Sequence, residues 1–460
     1  MASATPNPFQ SPGAEESPTR VRYVVMGFLL ILSFLTYFDR VCIVRAQQEI
    51  SHDLQLADWQ MGLVLSAFWF AYAVFEIPGG WMGDRYGARI TLTRVVLAWS
   101  LFTALSGCAS GFIMLLTFRF LFGAGEAGAY PNMAIVQSKW LPTKSRARAG
   151  GLLWLAARWG GAFSPMLFAG LMRTLDVMRA DGKLSFIPGL EDVASWRIGF
   201  WIAGLLGVVW CLAFYPWYRN EPAEKPSVNA AELALIGEGR KGKEVHSMSW
   251  EMWKALGCSK SLWAMAFLYI SGSFGWSFFV SWLPKYLLDK HEMTFAASES
   301  FWKQPLFYGG ISCLTGGLLC DLFVRRTGWK RLGRAIFPLT GYVTASVAIF
   351  SVQFVSNADH AVVLICMAGA AYDFGQGANW ASIVDIGGRY AGTAAGFINM
   401  LGNLGNSLQP IIGAWVFNRF GWGPLFVVYS LAFLLAASMW LFIDPTKTFY
   451  QEEKEAHPPA

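Results

Sequence analysis

Apolar positions gather into twelve runs of about 20 residues with few charges, the length that spans a hydrocarbon core ~30 Å thick. Short polar stretches rich in Gly, Pro and basic residues separate them. The pattern predicts helices at 22–46, 60–83, 90–110, 112–137, 146–171 and 197–218. After a long polar stretch it predicts six more, at 261–288, 305–324, 334–356, 361–384, 391–416 and 424–443. The first run exceeds a signal-peptide core and lacks a small-residue cleavage site, so it belongs to helix 1. The chain is thus an all-α integral membrane protein with twelve transmembrane helices.

Composition agrees with the pattern. Of 460 residues, 55% are apolar and 14% charged, against about 25% charged in a soluble protein, and mean hydropathy is +0.39. These values exclude a disordered chain, a coiled coil and a nucleic-acid-binding domain, and argue against a soluble enzyme. Seven cysteines mostly lie inside apolar runs without a CxxC pair or Cys/His cluster, so neither a disulfide frame nor a metal site is expected.

Charge distribution orients the chain. With the N-terminus in the cytoplasm, 23 of the 36 Lys and Arg residues fall on the inner side, as the positive-inside rule requires. Both termini are therefore expected inside. The division is a tail at 1–21, a six-helix half at 22–218, a linker at 219–260 with an amphipathic helix near 229–239, a second six-helix half at 261–444 and a tail at 445–460.

The halves repeat. After helix 2 stands Gly80-Trp-Met-Gly-Asp84-Arg85-Tyr-Gly87-Ala-Arg89. After helix 8 stands Gly317-Leu-Leu-Cys-Asp321, followed by Arg325, Arg326, Gly328 and Arg331. The first copy resembles the loop signature of the major facilitator superfamily, and the matched second copy fits it. Within residues 20–445, further stretches are similar to its anion:cation symporter branch, which holds hexuronate, galactonate and glucarate permeases and sialin-type transporters. They are Tyr37-Phe-Asp39-Arg40, Phe75-Glu-Ile-Pro78-Gly79-Gly80, Arg119 to Asn132, Trp140-Leu-Pro142 with Arg146-Ala-Arg148, Arg389-Tyr390-Ala-Gly392 and Asn399-Met-Leu-Gly402-Asn403. Helix 2 departs with Glu76, where many members carry an uncharged residue. The resemblance implies the major facilitator fold, two pseudo-symmetric six-helix halves.

An ionisable group inside a span costs ~2.5 kcal/mol or more unless it meets a partner or a wet cavity. At 1.5 Å per residue, Asp39 and Arg40 lie about 24 Å along helix 1, level with Arg119 on helix 4. Glu126 and Arg158 lie near the midplane, and Arg119, Glu126 and Tyr130 share a helix face. Arginines beside carboxylates suit an anion site, because guanidinium binds carboxylate bidentately. A bound anion competing for the arginine would push the neighbouring carboxylate to take a proton. The resemblance assigns proton coupling to Asp39 and Glu126 and substrate binding to Arg40. Fixed ion pairs, Arg119 with Asp39 or Arg158 with Glu126, are the structural alternative.

The second half offers mainly neutral polar groups: Gln376, Asn379 and Trp380 on helix 10, and Asn399, Asn403 and Asn406 on one face of helix 11, with Asp373 on helix 10 as a third coupling acid or the partner of a basic group. Amides and indole N–H suit hydroxyls. The expected substrate site combines Tyr37, Arg40, Tyr72, Arg119, Arg158, Gln376, Asn379, Trp380 and Asn399. Asp84 is expected to dock on a helix N-terminus across the halves; the resemblance makes it a cytoplasmic gate supported by Arg85 and Arg89, with Asp321 and Arg325 or Arg326 as counterpart.

These features predict a monomeric secondary transporter, not an enzyme, in the cell inner (cytoplasmic) membrane. It would carry a small organic anion, a hexuronate or hexonate, with H+ as coupling ion and no cofactor. Organic phosphate exchange, sodium coupling and a transporter-like ligand sensor remain as alternatives.

Overall fold

The computed structural model describes residues 17–184, 189–237, 250–291, 301 and 303–451. Its long helices are α1 (Val21–Arg45), α2 (Asp58–Tyr86), α3 (Ala88–Ser106), α4 (Phe112–Glu126, continued by Ala129–Trp140), α5 (Arg146–Ala180) and α6 (Ser195–Trp217). They are followed by α7 (Lys260–Ser281), α8 (Gln304–Thr327), α9 (Lys330–Ser351), α10 (Ala358–Phe374, continued by Gln376–Gly387), α11 (Ala391–Phe420) and α12 (Trp422–Met439). Among the described residues, ten segments are long and apolar enough to cross a membrane, and one of these, Ala358–Phe420, holds both α10 and α11. The 35-residue α5 completes the twelve; Arg158 beside Gly160 and Gly161 dilutes its apolar stretch. Large apolar side chains such as Phe70, Ile113, Leu212, Val347 and Ile411 stay exposed on outward faces, where lipid replaces water.

Helix α5 runs nine residues past the expected end at 171. Leu175 joins Leu184 and Ile198 in a small buried cluster there, with Leu171 and Met178 against it. Arg173, Asp176 and Arg179 lower the apolar content of this turn without breaking its helical stripe. The expected linker helix forms at Ala230–Gly237, and positions 238 and 239 lie outside the described residues. Glu232 of that helix is fully buried. It accepts from the backbone N–H of Val21 (3.2 Å) and Arg22 (3.1 Å) and from Arg22 Nη1 (2.7 Å). A carboxylate at the start of α1 satisfies orphan donors and complements the helix dipole.

Within the first half, α1 packs on α5, α3 on α6, and α2 on α4; within the second, α7 packs on α11 and α12, and α8 and α9 on α10. Two helix pairs dominate the contact between the halves, α2 with α11 and α5 with α8, and the sequence repeat relates one pair to the other. Close approach needs glycine there: a Cβ on Gly80 would strike the Gly392 carbonyl, and one on Gly317 the Ala147 carbonyl. We call the membrane side bearing the start of α1, the linker helix Ala230–Gly237 and the end of α12 the terminal face.

Candidate functional site

Two pseudo-symmetric helices break at the centre of the protein. Helix α4 is interrupted at Ala127–Gly128, directly after Glu126, and α10 at Gly375, two residues after Asp373. Breaks of this kind occur where backbone lines a site instead of lipid, and here each delivers a buried carboxylate.

Glu126 is fully buried. Its Oε1 accepts from Arg40 Nε at 2.7 Å, joining α4 to α1. Its Oε2 and Arg40 Nη2 have no hydrogen-bond partner. The Arg40 guanidinium sits among four rings, 4.4 Å from Tyr72, 5.3 Å from Tyr37 and Phe68, and 5.7 Å from Trp69. The rings hold it in place by cation–π attraction and keep most water away. Asp39, one residue earlier, points elsewhere on α1 and is buried. Arg119 is 4.4 Å from the Phe122 ring and forms no ion pair within 4 Å among the described residues. Asp39 Oδ1 and Arg119 Nε and Nη1 are all without partners, although the charges of Arg119 and Glu126 both act on the Asp39 carboxyl. This cluster of Asp39, Arg40, Arg119 and Glu126 thus holds two cations and two carboxylates with spare hydrogen-bonding capacity on each.

Arg158 pairs across the halves. Its Nε meets Asp373 Oδ1 (3.1 Å) and Oδ2 (2.9 Å), and its Nη2 meets Oδ1 at 2.7 Å. Trp276 (4.3 Å) and Trp154 (5.2 Å) flank the guanidinium. The alternative pairing of Arg158 with Glu126 is therefore corrected: Asp373 holds Arg158 and Arg40 holds Glu126. The arginine expected to contact substrate is instead engaged by a carboxylate.

The neutral residues divide into two groups. Asn379 and Trp380 are buried and face protein partners. Asn379 Nδ2 donates to Tyr342 OH at 2.9 Å, and Trp380 Nε1 reaches Gln137 Oε1 at 3.1 Å across the halves. Gln376 is buried just beyond the α10 break. Asn399 is half-buried and donates to Glu76, as does Asn403 at 3.0 Å. Tyr37 is half-buried and Tyr72 buried, both against Arg40. Tyr130 stacks on Trp154 at 5.5 Å and its hydroxyl pairs with Ser33 Oγ at 3.0 Å.

Two matched caps bridge the halves at the terminal face. Neither α5 nor α11 has a capping side chain of its own, so each begins with orphan N–H groups. Asp84, at the end of α2, accepts from Gly392 N (3.1 Å), Thr393 N (2.7 Å) and Thr393 Oγ1 (2.6 Å). Asp321, at the end of α8, accepts from Ala147 N (3.3 Å) and Arg148 N (2.7 Å). The arginines differ from expectation. Arg334, not Arg325 or Arg326, pairs with Asp321 at 3.1 Å, because it is one helix away and fully buried. Arg325 instead donates to the Lys144 carbonyl at 3.3 Å. Arg85 rests over Trp81 and Tyr86. Arg89 donates to the Tyr215 carbonyl at 2.9 Å within its own half. Asp84→Asn should slow transport at least ~10-fold and raise thiol labelling from the terminal face, since an amide cannot accept both backbone N–H bonds as strongly as a carboxylate. Unchanged labelling would refute the cap as a seal.

A further ionic contact across the halves escaped sequence reading. Asp385, near the end of α10, receives Arg146 Nη1 at 2.6 Å, Lys330 Nζ at 3.2 Å and Arg334 Nε at 3.5 Å. Asp385 lies at the edge of an apolar run with its partners 239, 55 and 51 positions away. No local spacing marks it.

Comparison with known proteins places this geometry. The family model of the Major Facilitator Superfamily matches residues 29–410. A probable sulfoacetate transporter of Cupriavidus necator is 29% identical over 440 residues, covering 95% of this chain and 97% of that one. The hexuronate transporter of Bacillus subtilis is 27% identical over 429 residues, covering 91% and 92%. The fold is similar to that of the proton:xylose symporter XylE bound to 6-bromo-6-deoxy-D-glucose, with a TM-score of 0.71 at 14% identity over 94% of this chain and 98% of that one.

Proposed function

Because the chain belongs to the major facilitator superfamily and is a multi-pass membrane transporter, we propose that it carries a small organic anion, a sugar acid of the hexuronate or hexonate class, in symport with protons. The observation that carries this reading is the Arg40–Glu126 pair. It is buried and shielded by rings, and it retains an unused guanidinium N–H and an unused carboxylate oxygen. The relatives' names support the anion.

The cycle follows from charge. A substrate carboxylate binds Arg40 and competes with Glu126. Glu126, still buried, then lacks its counter-ion, and an uncompensated buried carboxylate costs several kcal/mol. Taking a proton removes that cost. Asp39, the adjoining buried carboxylate with an unpartnered oxygen, is the other proton-coupling group. With the central charges neutralised in pairs, the halves rock about the site, and the Asp84 and Asp321 caps release and re-form. Positive-inside asymmetry supports both termini in the cytoplasm with the protein in the inner membrane, and in this orientation an inward proton gradient drives the acid inward. The protein acts as a monomer, needing no cofactor beyond H+.

The test is uptake of labelled sugar acids and sulfoacetate into proteoliposomes, with and without an inward proton gradient. Wild type should accumulate one acid when the gradient is imposed. Glu126→Gln should lose accumulation while counterflow exchange survives. Sodium-driven uptake, or exchange indifferent to the gradient, would overturn proton coupling.

A further inference from the structure

One buried carboxylate has no part in the cycle above. Glu76 of α2 is fully buried, and its bonding partners lie across the seam in the other half. Its Oε1 accepts from Asn399 Nδ2 and its Oε2 from Asn403 Nδ2, both on α11. Asn406 Nδ2 in turn donates to Asn403 Oδ1 at 3.4 Å. Glu76 forms no ion pair within 4 Å among the described residues.

We propose that Glu76 is a positioning residue that fixes the amide orientation of Asn399 and so makes the second half of the site accept the hydroxyl end of a polyhydroxy monoacid and reject a second carboxylate. This rests on the sugar-acid reading and deepens it.

A side-chain amide has a donor end and an acceptor end, and nothing in its shape fixes which faces a ligand. Both oxygens of Glu76 act as acceptors here, one from each asparagine. With each oxygen of Glu76 taking one amide N–H, the nitrogen end of Asn399 is committed to Glu76. Its Oδ1 has no protein partner among the described residues, and Asn399 is half-buried. The oxygen is thus what Asn399 can show to a bound molecule. An acceptor there binds a hydroxyl that donates to it and repels a carboxylate, while the anion end is taken by Arg40 on α1. The charged first half and the acceptor-lined second half give the substrate a direction: acid toward Arg40, hydroxyls toward α11.

Replacing Glu76 by Gln changes the chemistry while keeping the shape. The Gln amide donates to one Asn and accepts from the other, so at least one asparagine turns over and presents N–H groups to the site. A second carboxylate is then welcomed where it was repelled.

The experiment is binding to the purified full-length protein by calorimetry, using three probes. D-Galactonate has one acid and a chain of hydroxyls, galactarate has an acid at both ends, and sulfoacetate has no hydroxyls. Wild type should prefer galactonate to galactarate. Glu76→Gln should shift the galactonate-to-galactarate affinity ratio by about tenfold or more toward galactarate, within the range a single reoriented polar contact commands. Sulfoacetate binding should change little. Glu76→Asp, which keeps an acceptor-only group, should retain the wild-type order. If Glu76→Gln is too unstable to purify, Asn399→Ala serves instead, since removing the acceptor should weaken galactonate without weakening galactarate. A ratio unchanged in these variants would overturn the proposal and leave Glu76 as a tie between α2 and α11. Binding of none of the three by wild type would overturn the sugar-acid reading and this inference with it. Binding of sulfoacetate alone would preserve anion transport but overturn the inference.

Discussion

Arg40→Lys should reduce initial uptake of the carried anion by about a hundredfold while the protein still folds. Arg40 must do two things from one place: hold Glu126 through Nε and leave Nη2 for the substrate. A planar guanidinium has separate N–H groups for the two tasks, whereas an ammonium is a single point charge on a shorter reach. The loss amounts to one charge-assisted hydrogen bond of about 1.5–3 kcal/mol, and 1.36 kcal/mol is tenfold in rate. Lysine also forfeits much of the fit among Tyr37, Phe68, Trp69 and Tyr72, but it keeps the charge that Glu126 needs, so folding survives. The measurement is the initial rate in proteoliposomes alongside the melting curve of the solubilised protein. Wild-type uptake by Arg40→Lys would remove Arg40 from the anion site.

Asp373→Asn and Arg158→Leu should each destabilise the protein by about 3–5 kcal/mol, the usual consequence of stranding one member of a buried ion pair. Both side chains are almost entirely enclosed, Arg158 at 4% and Asp373 at 1% exposure. The pair ties α5 to α10 across the two halves, and the two tryptophans leave little room for water to replace the missing partner. The combined variant Arg158→Leu with Asp373→Leu should regain most of the lost stability, because an apolar pair of similar volume carries no stranded charge. It should still fail to transport, since the halves lose the contact that must break and re-form as they move. Thermal unfolding of the three proteins in detergent tests the first claim and proteoliposome uptake the second. Single variants as stable as wild type would show that the pair does not form in the membrane.

These expectations concern different kinds of residue. Arg40 and Glu126 are legible because depth along a helix follows from the rise of 1.5 Å per residue, and costly charges at the membrane centre draw notice. Asp84 and Asp321 are legible because they repeat at matched places in the two halves. Glu76 and Asp385 are not. Each stands beside an apolar run, and its meaning depends on amides or cations that approach from other helices.

By itself the sequence determined the number of spans, their grouping into two related halves, the level of each buried charge and the two carboxylates that cap helices across the seam. Hydrophobic run length and helical periodicity are local quantities, and a repeat is visible in one dimension. Only the tertiary structure decided the partners. Arg158 belongs to Asp373, 215 positions away, and not to Glu126; Asp321 belongs to Arg334 and not to Arg325; Asn399 and Asn403 turn their nitrogens to Glu76, over 320 positions away. Helix geometry fixes how deep a side chain lies and which face it shares, but not which helix stands opposite that face. That is settled by how twelve helices pack, which depends on glycine contacts such as Gly80 on Gly392 and on breaks such as those after Glu126 and Asp373.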